Sequence, residues 1–166
     1  MQKITWIGVM DNQQREHQRA NQRVGAISNA HVGREFESRA RAFFAGQGVA
    51  LQARHKVKIG VGAVKKLHEF DLGCDEQKIV VECKSHRWTA TANIPSAKLT
   101  VWNEAMYYFS LTPQDYRKVM FVLRDVCGRR SLSLASHYLR NHAHMIPDDV
   151  EFWEFDEQTG NADRVR

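Results

Sequence analysis

One short stretch of this sequence constrains the fold more than any other. Residues 119–123 are consecutive apolar side chains, from Val119 to Leu123, between Lys118 and Arg124. A strand with one wet face alternates apolar and polar residues, whereas an uninterrupted apolar run is typical of a strand that is buried on both faces. We therefore expect a sheet that is covered on both sides, and helices are the usual cover in a chain of mixed pattern.

Three stretches carry the apolar spacing of helices. The first begins after the N-cap candidates Ser28 and Asn29, and Gly46 and Gly48 end it. The second covers 97–111, and the third covers 132–144. The predicted buried stripes of the first two helices are Val32, Phe36, Ala40, Phe43, Phe44 and Gln47, and then Leu99, Val101, Trp102, Ala105, Met106 and Phe109. A stripe of that width predicts that each helix packs one face on a sheet.

Strand patterns lie between and after these helices. Loose alternation over 49–59, alternation over 65–74 and β-branched residues over 78–84 predict three consecutive strands, and 150–155 predicts a last one. The resulting order is helix, three strands, helix, strand, helix, strand. It predicts an α/β fold with three layers, α/β/α, around a mixed central sheet.

The beginning of the chain has a different composition from the rest. Residues 1–10 predict a short strand or an apolar anchor, and 11–23 are almost wholly Gln, Asn, Arg, Glu and His, which indicates a polar arm or an exposed helix. The length allows one compact unit. We therefore separate an N-terminal strand and polar arm or exposed helix, 1–27, from one folded domain, 28–166.

Charge is unevenly distributed along the chain. The 24 Lys and Arg against 19 Asp and Glu give a net charge of +5. Residues 148–166 hold seven acidic and two basic side chains, which leaves 1–147 at +10. A field of this sign attracts polyanions, and nucleic acid is the commonest such partner, although a basic protein with no such partner has the same composition.

Several classes of protein do not fit the sequence. No apolar run approaches the roughly 20 residues needed to cross a bilayer, and the first residues lack the pattern of a signal peptide, so we expect no membrane partner. The three cysteines lack CxxC spacing, which disfavours a disulfide framework and a zinc knuckle and predicts a reducing, cytoplasmic location. A zinc site at His137, His142 and His144 is also disfavoured, because their spacing does not put them on one helix face.

Two neighbouring predicted strands, 65–74 and 78–84, bring charged side chains together. A tight turn between them would place Asp71 opposite the strand end that carries Glu82 and Lys84. Alternation predicts one face of the first strand with Leu67, Glu69 and Asp71, and the other with His68, Phe70 and Leu72. Two close carboxylates repel one another, and a divalent cation such as Mg²⁺ removes that repulsion. A lysine beside them suits metal-assisted phosphodiester hydrolysis, whereas ordinary surface ion pairs are the alternative interpretation.

At these residues the sequence resembles the PD-(D/E)XK nuclease superfamily, the restriction-endonuclease-like phosphodiesterases. The matching residues are Phe70-Asp71, the run 80–84 that ends in Glu82-Cys83-Lys84, and 33–37 on the preceding helix. The element order over 28–155 follows the same family. Phe70 stands where the family's name motif has a proline. The resemblance implies a restriction-endonuclease-like fold for the domain 28–166.

The resemblance also implies roles for the charged residues. Asp71 and Glu82 would ligate Mg²⁺, for which Mn²⁺ would substitute, together with the backbone carbonyl of Cys83. Lys84 would position the attacking water. Glu37 would be the helix acid that completes the site or holds a second metal.

Basic and aromatic residues around this hairpin are candidates for contact with nucleic acid. His86, Arg87 and Trp88 follow Lys84 and would lie at the mouth of the site, where the first two reach phosphate and the indole stacks on a base. A loop whose tryptophan covers the core is the alternative. Further candidates are Arg54, Lys56, Lys58, Lys65, Lys66, Lys98 and Asn103. Lysines that protect an exposed strand edge would explain those on the first two strands nearly as well.

These observations lead to one main hypothesis and two alternatives. The main hypothesis is a Mg²⁺-dependent DNA endonuclease that acts as a homodimer, because each chain offers one site and duplex DNA has two strands. The first alternative is a non-catalytic nucleic-acid-binding or assembly subunit that has the same fold. The second is a nuclease that acts on RNA or on branched DNA, since the metal chemistry would be the same.

Overall fold

The structure is a computed structural model that describes residues 29–166. The predicted strand and polar arm over 1–27, and the candidate cap Ser28, lie outside the described residues. Within 29–166 the elements are α1 (Asn29–Gly46), β1 (Gln52–Ile59), β2 (Lys66–Cys74), β3 (Ile79–Lys84), α2 (Ser96–Leu111), β4 (Arg117–Leu123), β5 (Val126–Cys127), β6 (Leu132–Ser133), α3 (Leu134–Asn141), a 3-10 turn (Ala143–Met145), β7 (Val150–Phe155) and β8 (Ala162–Arg164).

Six of the strands form one mixed sheet in the order β1-β2-β3-β4-β7-β8. β1, β2 and β3 are antiparallel neighbours, whereas β4 runs parallel to both β3 and β7, and β8 returns antiparallel to β7. The predicted α/β class with a mixed central sheet is therefore confirmed. The sequence pattern did not reveal β8, which is short and mostly exposed.

β4 lies in the middle of the sheet and is buried on both faces, as its apolar run predicts. Val119, Phe121 and Leu123 point into a core cluster beneath α1. Met120 and Val122 point into a second cluster beneath α2 and α3. Full burial of one such side chain stabilises the fold by about 1.5–3 kcal/mol, so this strand anchors both halves of the core.

The helices differ from their predicted stripes at the edges. Val32 is 41% exposed, Val101 is 40% exposed, and Gln47 is exposed as well, so their predicted burial is wrong. Val101 immediately precedes the fully buried Trp102, and the 100° step of a helix turns it away from the sheet. Val32 lies one turn before the buried part of α1 and lines a cavity at the sheet end instead.

The third predicted helix, 132–144, is shorter in the structure. Residues 132–133 pair with 126–127 as a small second sheet, so the helix begins only at Leu134. The Ser133 side chain accepts a hydrogen bond from the Ser136 N–H at 3.0 Å, which is the geometry of an N-cap. The competing strand pair and this cap together set the helix start.

The alternation along β2 breaks at Asp71. Phe70 packs in the cluster beneath α2 and α3, whereas Leu72 packs in the cluster beneath α1. The prediction that these two residues share a face is therefore wrong. On the neighbouring strand β1, Arg54 has a positive φ of 57°. Arg54 and Asp71 face one another but do not form a β-sheet pair, although the residues on either side of them do. This irregularity directs Asp71 toward β3.

None of the helices described in 29–166 is long and apolar enough to cross a membrane. Cys74, Cys83 and Cys127 are free thiols.

Candidate active site

Asp71, Glu82 and Lys84 meet at one end of the sheet. The Lys84 Nζ lies 2.5 Å from the Glu82 Oε2 and 3.5 Å from the Asp71 Oδ2. The side chains of Glu82 and Lys84 are both largely buried, while that of Asp71 is partly exposed. The structure therefore brings together the three groups that the hairpin pattern singles out, with the ammonium between the two carboxylates.

The strands separate where the site begins. The β2–β3 ladder covers 72–74 against 79–81 and goes no further. Beyond it, the Cys83 N–H donates a hydrogen bond to the Asp71 Oδ2 at 2.8 Å. This bond continues the contact between β2 and β3 after their backbone hydrogen bonds end. A hydrogen bond to a charged group contributes about 1.5–3 kcal/mol to stability. β3 keeps its register with β4 through Lys84, and that pairing holds Glu82 and Lys84 in place.

The two partners of the ion pair respond differently to burial. Burial raises the pKa of Glu82 to about 7, a shift that Lys84 opposes and the negative charge of Asp71 reinforces. Burial acts to lower the pKa of Lys84, but Glu82 and Asp71 outweigh it and raise that pKa above its usual value. Lys84 is consequently an ammonium at neutral pH, while the Glu82 carboxylate is held in a poor environment for a negative charge.

This shift predicts how stability depends on pH. Because the folded-state pKa of Glu82 lies above its unfolded value of 4.5, the folded protein alone binds this proton between those two pH values. The stabilisation that this proton gives the folded state is therefore present at low pH and is lost as pH rises through the folded-state pKa of Glu82. We expect the free energy of unfolding to increase by about 1–2 kcal/mol from about pH 8 to about pH 5.5, relative to a Glu82→Gln variant. Urea unfolding of both proteins measures this difference, and parallel pH curves would contradict it.

Glu37 lies at the same end of the molecule, on α1. Its side chain is half-buried, and burial raises its pKa, with the nearby Asp71 carboxylate adding to the shift and Lys84 opposing it. Glu35, the other acid near it on α1, is exposed and forms an ion pair with Arg39 at 2.7 Å. Of these two acids, Glu37 is thus the one that Asp71 and Lys84 influence electrostatically.

The oxygen groups present fit a hard divalent cation. Asp71 and Glu82 supply carboxylate oxygens, and the Cys83 carbonyl directly follows Glu82 in the chain. Mg²⁺ is typically bound by one or two carboxylates, with waters completing its shell. In the described part of the chain, no three His, Cys, Asp or Glu side chains form a metal-binding group, so a cation here would need backbone oxygens and waters besides the two carboxylates. His137 and His142 line one cavity, and His144 is not among its lining residues.

The loop after Lys84 borders a cavity of about 390 Å³. His86, Arg87 and Lys98 line it, together with Lys84, Ser85, Cys83, Val32 and Gly33. Arg87 forms ion pairs with Glu157 and with Asp125, the latter at 3.5 Å, so two carboxylates offset its charge. Two of the three residues predicted at the mouth of the site, His86 and Arg87, therefore border this cavity, as does the separate candidate Lys98.

Trp88 is placed differently from the expectation that it stacks on a base. Its backbone N–H donates to the Asp125 Oδ2 at 2.7 Å, and its ring packs against the core, with His137 at 5.3 Å. The Arg130 guanidinium lies over the same ring at 5.3 Å. These contacts favour the alternative, a loop whose tryptophan covers the core.

The basic residues of β1 and β2 lie along the outer edge of the sheet. Glu69 pairs with Arg54 at 2.8 Å and with Lys56 at 3.7 Å, which offsets part of their charge. Lys65 donates to the Gly60 carbonyl at 2.6 Å. Lys58 and Lys66 are exposed. The arrangement is compatible with a phosphate-tracking rim and with protection of an edge strand.

Asn103 does not reach the site. Its Oδ1 accepts a hydrogen bond from the Tyr138 hydroxyl at 2.9 Å, and it lines a separate cavity with His137 and His142. That Asn103 contacts substrate stays a prediction, and such a contact would lie at this separate cavity.

Sequence reasoning missed the partners that hold the loop 85–88. Asp125 and Glu157 hold Arg87 and Trp88, and Trp102 donates to the His86 ring at 2.8 Å. Each partner lies 16 or more positions further along the chain. A local pattern carries no signal for such contacts, because they arise from the packing of α2 and β4 beside β3.

Comparisons with known proteins supply no relative. No family model, no curated protein and no solved structure matches this chain. Function is therefore inferred from the chemistry of the side chains described above.

Proposed function

We propose that the protein is a Mg²⁺-dependent DNA endonuclease of PD-(D/E)XK type, with a restriction-endonuclease-like fold, that hydrolyses phosphodiester bonds through a metal-activated water. The observation that carries this proposal is the cluster of Asp71, Glu82 and Lys84 beside an open cavity. Two carboxylates, one of them buried, destabilise a sheet unless cations neutralise them. A cluster of this kind at a cavity is typical of a catalytic site.

The residues would divide the work as follows. Asp71, Glu82 and the Cys83 carbonyl would hold the cation, and Glu37 would complete the site or hold a second one. When bound, Mg²⁺ supplies Lewis acidity and lowers the pKa of a bound water. Lys84 is an ammonium with three donors, one of which Glu82 accepts at 2.5 Å. Its remaining donors orient a water or a phosphate oxygen, and its charge stabilises the negative charge that develops on phosphorus.

The proposed substrate follows from charge. The chain has a net charge of +5, and the cavity beside the cluster is lined by Lys84, Arg87 and Lys98. Phosphate groups are the anions that such a surface attracts most often. We therefore propose DNA as the partner, and a homodimer as the form that cuts both strands.

One observation favours a second candidate, a non-catalytic nucleic-acid-binding subunit. The Lys84 ammonium already lies between the two carboxylates, so the cluster is partly neutralised by the protein itself. Such a subunit would bind DNA in a salt-dependent way, and no divalent metal would make it cleave that DNA. A nuclease acting on RNA or branched DNA would instead retain metal-dependent cleavage with those substrates.

Cleavage of supercoiled plasmid tests the proposal. We expect cleavage with Mg²⁺ or Mn²⁺ and none with a chelator, and we expect an Asp71→Asn variant to lose about a thousandfold in rate, because it loses a charged ligand. Asp115→Asn is the matched control, since Asp115 is exposed and pairs with Lys78 at 3.8 Å, away from the cluster. Cleavage that persists in chelator, or an Asp71→Asn rate equal to that of the wild type, would overturn the proposal. Linear product without a nicked intermediate would indicate a homodimer.

A further inference from the structure

The ring of His86 is held in one protonation state by its neighbour. The Trp102 Nε1 donates a hydrogen bond to the His86 Nδ1 at 2.8 Å. An indole N–H can only donate, so the Nδ1 must carry a lone pair and the proton of the neutral ring must lie on the Nε2. Trp102 is fully buried in α2, with its ring 5.0 Å from that of Tyr138. The partner that sets this tautomer is therefore rigid.

The other ring nitrogen has no partner within the described residues. His86 lines the cavity of about 390 Å³, and no acceptor from 29–166 reaches its Nε2. Positive groups around the ring are Lys98 from α2, Lys84 from β3 and Arg87 in the same loop. Carboxylates pair with Lys84 and with Arg87, whereas Lys98 has no ion-pair partner among the described residues. Burial, followed by the charges of Lys98 and Lys84, lowers the pKa of His86 to about 4. The ring is thus a neutral donor beside two ammonium groups.

The cavity has the composition of an anion site. Its lining includes Lys84, His86, Arg87 and Lys98 and contains no carboxylate. A free N–H donor between positive groups has no acceptor until an anion arrives, and a phosphate oxygen accepts from both kinds of donor. The cavity also shares Lys84 with the carboxylate cluster, so an anion there would lie directly beside that cluster.

We propose that His86 and Lys98 form a phosphate-binding subsite in this cavity, in which the His86 Nε2–H donates to a phosphate oxygen and Trp102 is the positioning residue that keeps the donor in place. That the phosphate belongs to DNA rests on the proposed function, whereas binding of a phosphate group does not. A neutral donor adds a directional contact without adding charge, while Lys98 supplies the charge. The subsite would hold a phosphate of the substrate next to the one that is cleaved.

Nitrogen-15 NMR of the full chain tests the subsite without any cleavage. In the wild type at neutral pH, we expect the His86 Nε2 to be protonated and the Nδ1 to be unprotonated. Inorganic phosphate, in metal-free buffer, is expected to shift the His86 resonances in a saturable way. A His86 that carries both protons, or the opposite tautomer, would overturn the proposal, and so would phosphate addition that leaves its resonances unchanged.

Three variants distinguish a role of these side chains as hydrogen-bond donors to phosphate from a role in packing alone. His86→Phe and Lys98→Gln are each expected to weaken phosphate binding by about tenfold or more, because each removes a donor to a charged group. Trp102→Phe keeps an aromatic ring but frees the Nδ1, so His86 is expected to populate both tautomers. His144→Phe is the control, since His144 is exposed and not among the cavity residues. Equal phosphate affinity in His86→Phe and the wild type would refute the subsite, and that readout does not depend on whether Trp102→Phe folds.

The same variants distinguish failure of the subsite from failure of the proposed nuclease. If phosphate binds at His86 but plasmid is never cleaved, the subsite stands and the nuclease proposal fails. If plasmid is cleaved but His86→Phe cuts like the wild type and phosphate moves no His86 resonance, the nuclease proposal stands and the subsite fails.

Discussion

A Lys84→Met variant is expected to lose the proposed Mg²⁺-dependent cleavage by about a hundredfold to ten-thousandfold. Lys84 Nζ lies 2.5 Å from one carboxylate and 3.5 Å from the other, and its side chain also lines the neighbouring cavity. No other ammonium among the described residues lies within ion-pair distance of either carboxylate. The variant keeps an unbranched side chain of similar length, so that the lost interactions are those of the charge and its donors.

The same substitution changes the electrostatics of Glu82. Lys84 lowers the pKa of this buried carboxyl, so its removal raises that pKa further above the usual value. A buried charge that loses its partner is destabilising by about 3–5 kcal/mol, unless it becomes neutral by protonation. We therefore expect Lys84→Met to be more stable at mildly acidic pH than at alkaline pH, and urea unfolding across that range separates loss of fold from loss of chemistry.

Lys78→Met is the matched control for Lys84→Met. Lys78 immediately precedes β3, at the opposite end of the strand, and is half exposed, pairing with Asp115 at 3.8 Å. We expect its cleavage rate to equal that of the wild type. Unchanged cleavage in a folded Lys84→Met protein would show that the ammonium is not needed for the reaction, and it would contradict the proposed mechanism.

A Phe121→Ala variant is expected to lose about 3–5 kcal/mol of unfolding free energy. Phe121 is fully buried on the central strand β4, with ring centroids 5.6 Å from Phe36, 5.7 Å from Phe44 and 5.5 Å from Phe155. Phe43 also lies against this ring, at 5.6 Å, so truncation leaves a cavity that four other aromatic rings would have to fill by moving. Because domains of this size are stable by about 5–15 kcal/mol in total, this one change removes a large share.

Tyr107→Ala provides the comparison for the loss of an aromatic ring. Tyr107 is 58% exposed on α2, and a surface substitution of that kind usually changes stability by about 0.5 kcal/mol or less. Urea denaturation of both variants and the wild type gives the two differences directly. A loss below about 1 kcal/mol for Phe121→Ala would show that β4 is not the centre of the core.

The loss of Phe121 also reaches the candidate site. Phe121 is the parallel-strand partner of Cys83, whose N–H donates to Asp71 at 2.8 Å. A disturbed β4 therefore alters the register that holds the end of β3. Because β4 supports both the core and the candidate site, a loss of cleavage in Phe121→Ala would not distinguish the two. Phe121→Ala is therefore measured by unfolding, and Lys84→Met by cleavage.

Patterns within a few residues predicted much of what the structure contains. The apolar run 119–123 predicted a strand buried on both faces, since every side chain of such a run must leave water. Asp71, Glu82 and Lys84 lie within one hairpin, so the turn between two predicted strands sufficed to bring them to one sheet end, although the break in alternation at Asp71 was not predicted. The role of Glu37 came from the resemblance and stays a prediction, while the structure puts its carboxyl within the electrostatic influence of Asp71 and Lys84.

The exceptions depend on contacts between distant elements. Alternation predicted that Phe70 and Leu72 share a face, yet the irregular pairing opposite Arg54 sends them to different clusters. Trp88 had two equal interpretations in the sequence, and contacts from Asp125 and Arg130 decided between them. The edge strand β8 carries too few apolar residues to show a pattern of its own.

The amino-acid sequence by itself determined the α/β class, the central strand and the grouping of two carboxylates with a lysine, because each depends on the period of a single helix, strand or turn. Only the tertiary structure decided the hydrogen bond from Trp102 to the His86 ring, the orientation of Trp88 and the electrostatic environment of Glu82. Those properties depend on which distant side chains approach and how much water they exclude, and hydrogen bonding and desolvation act through space rather than along the chain.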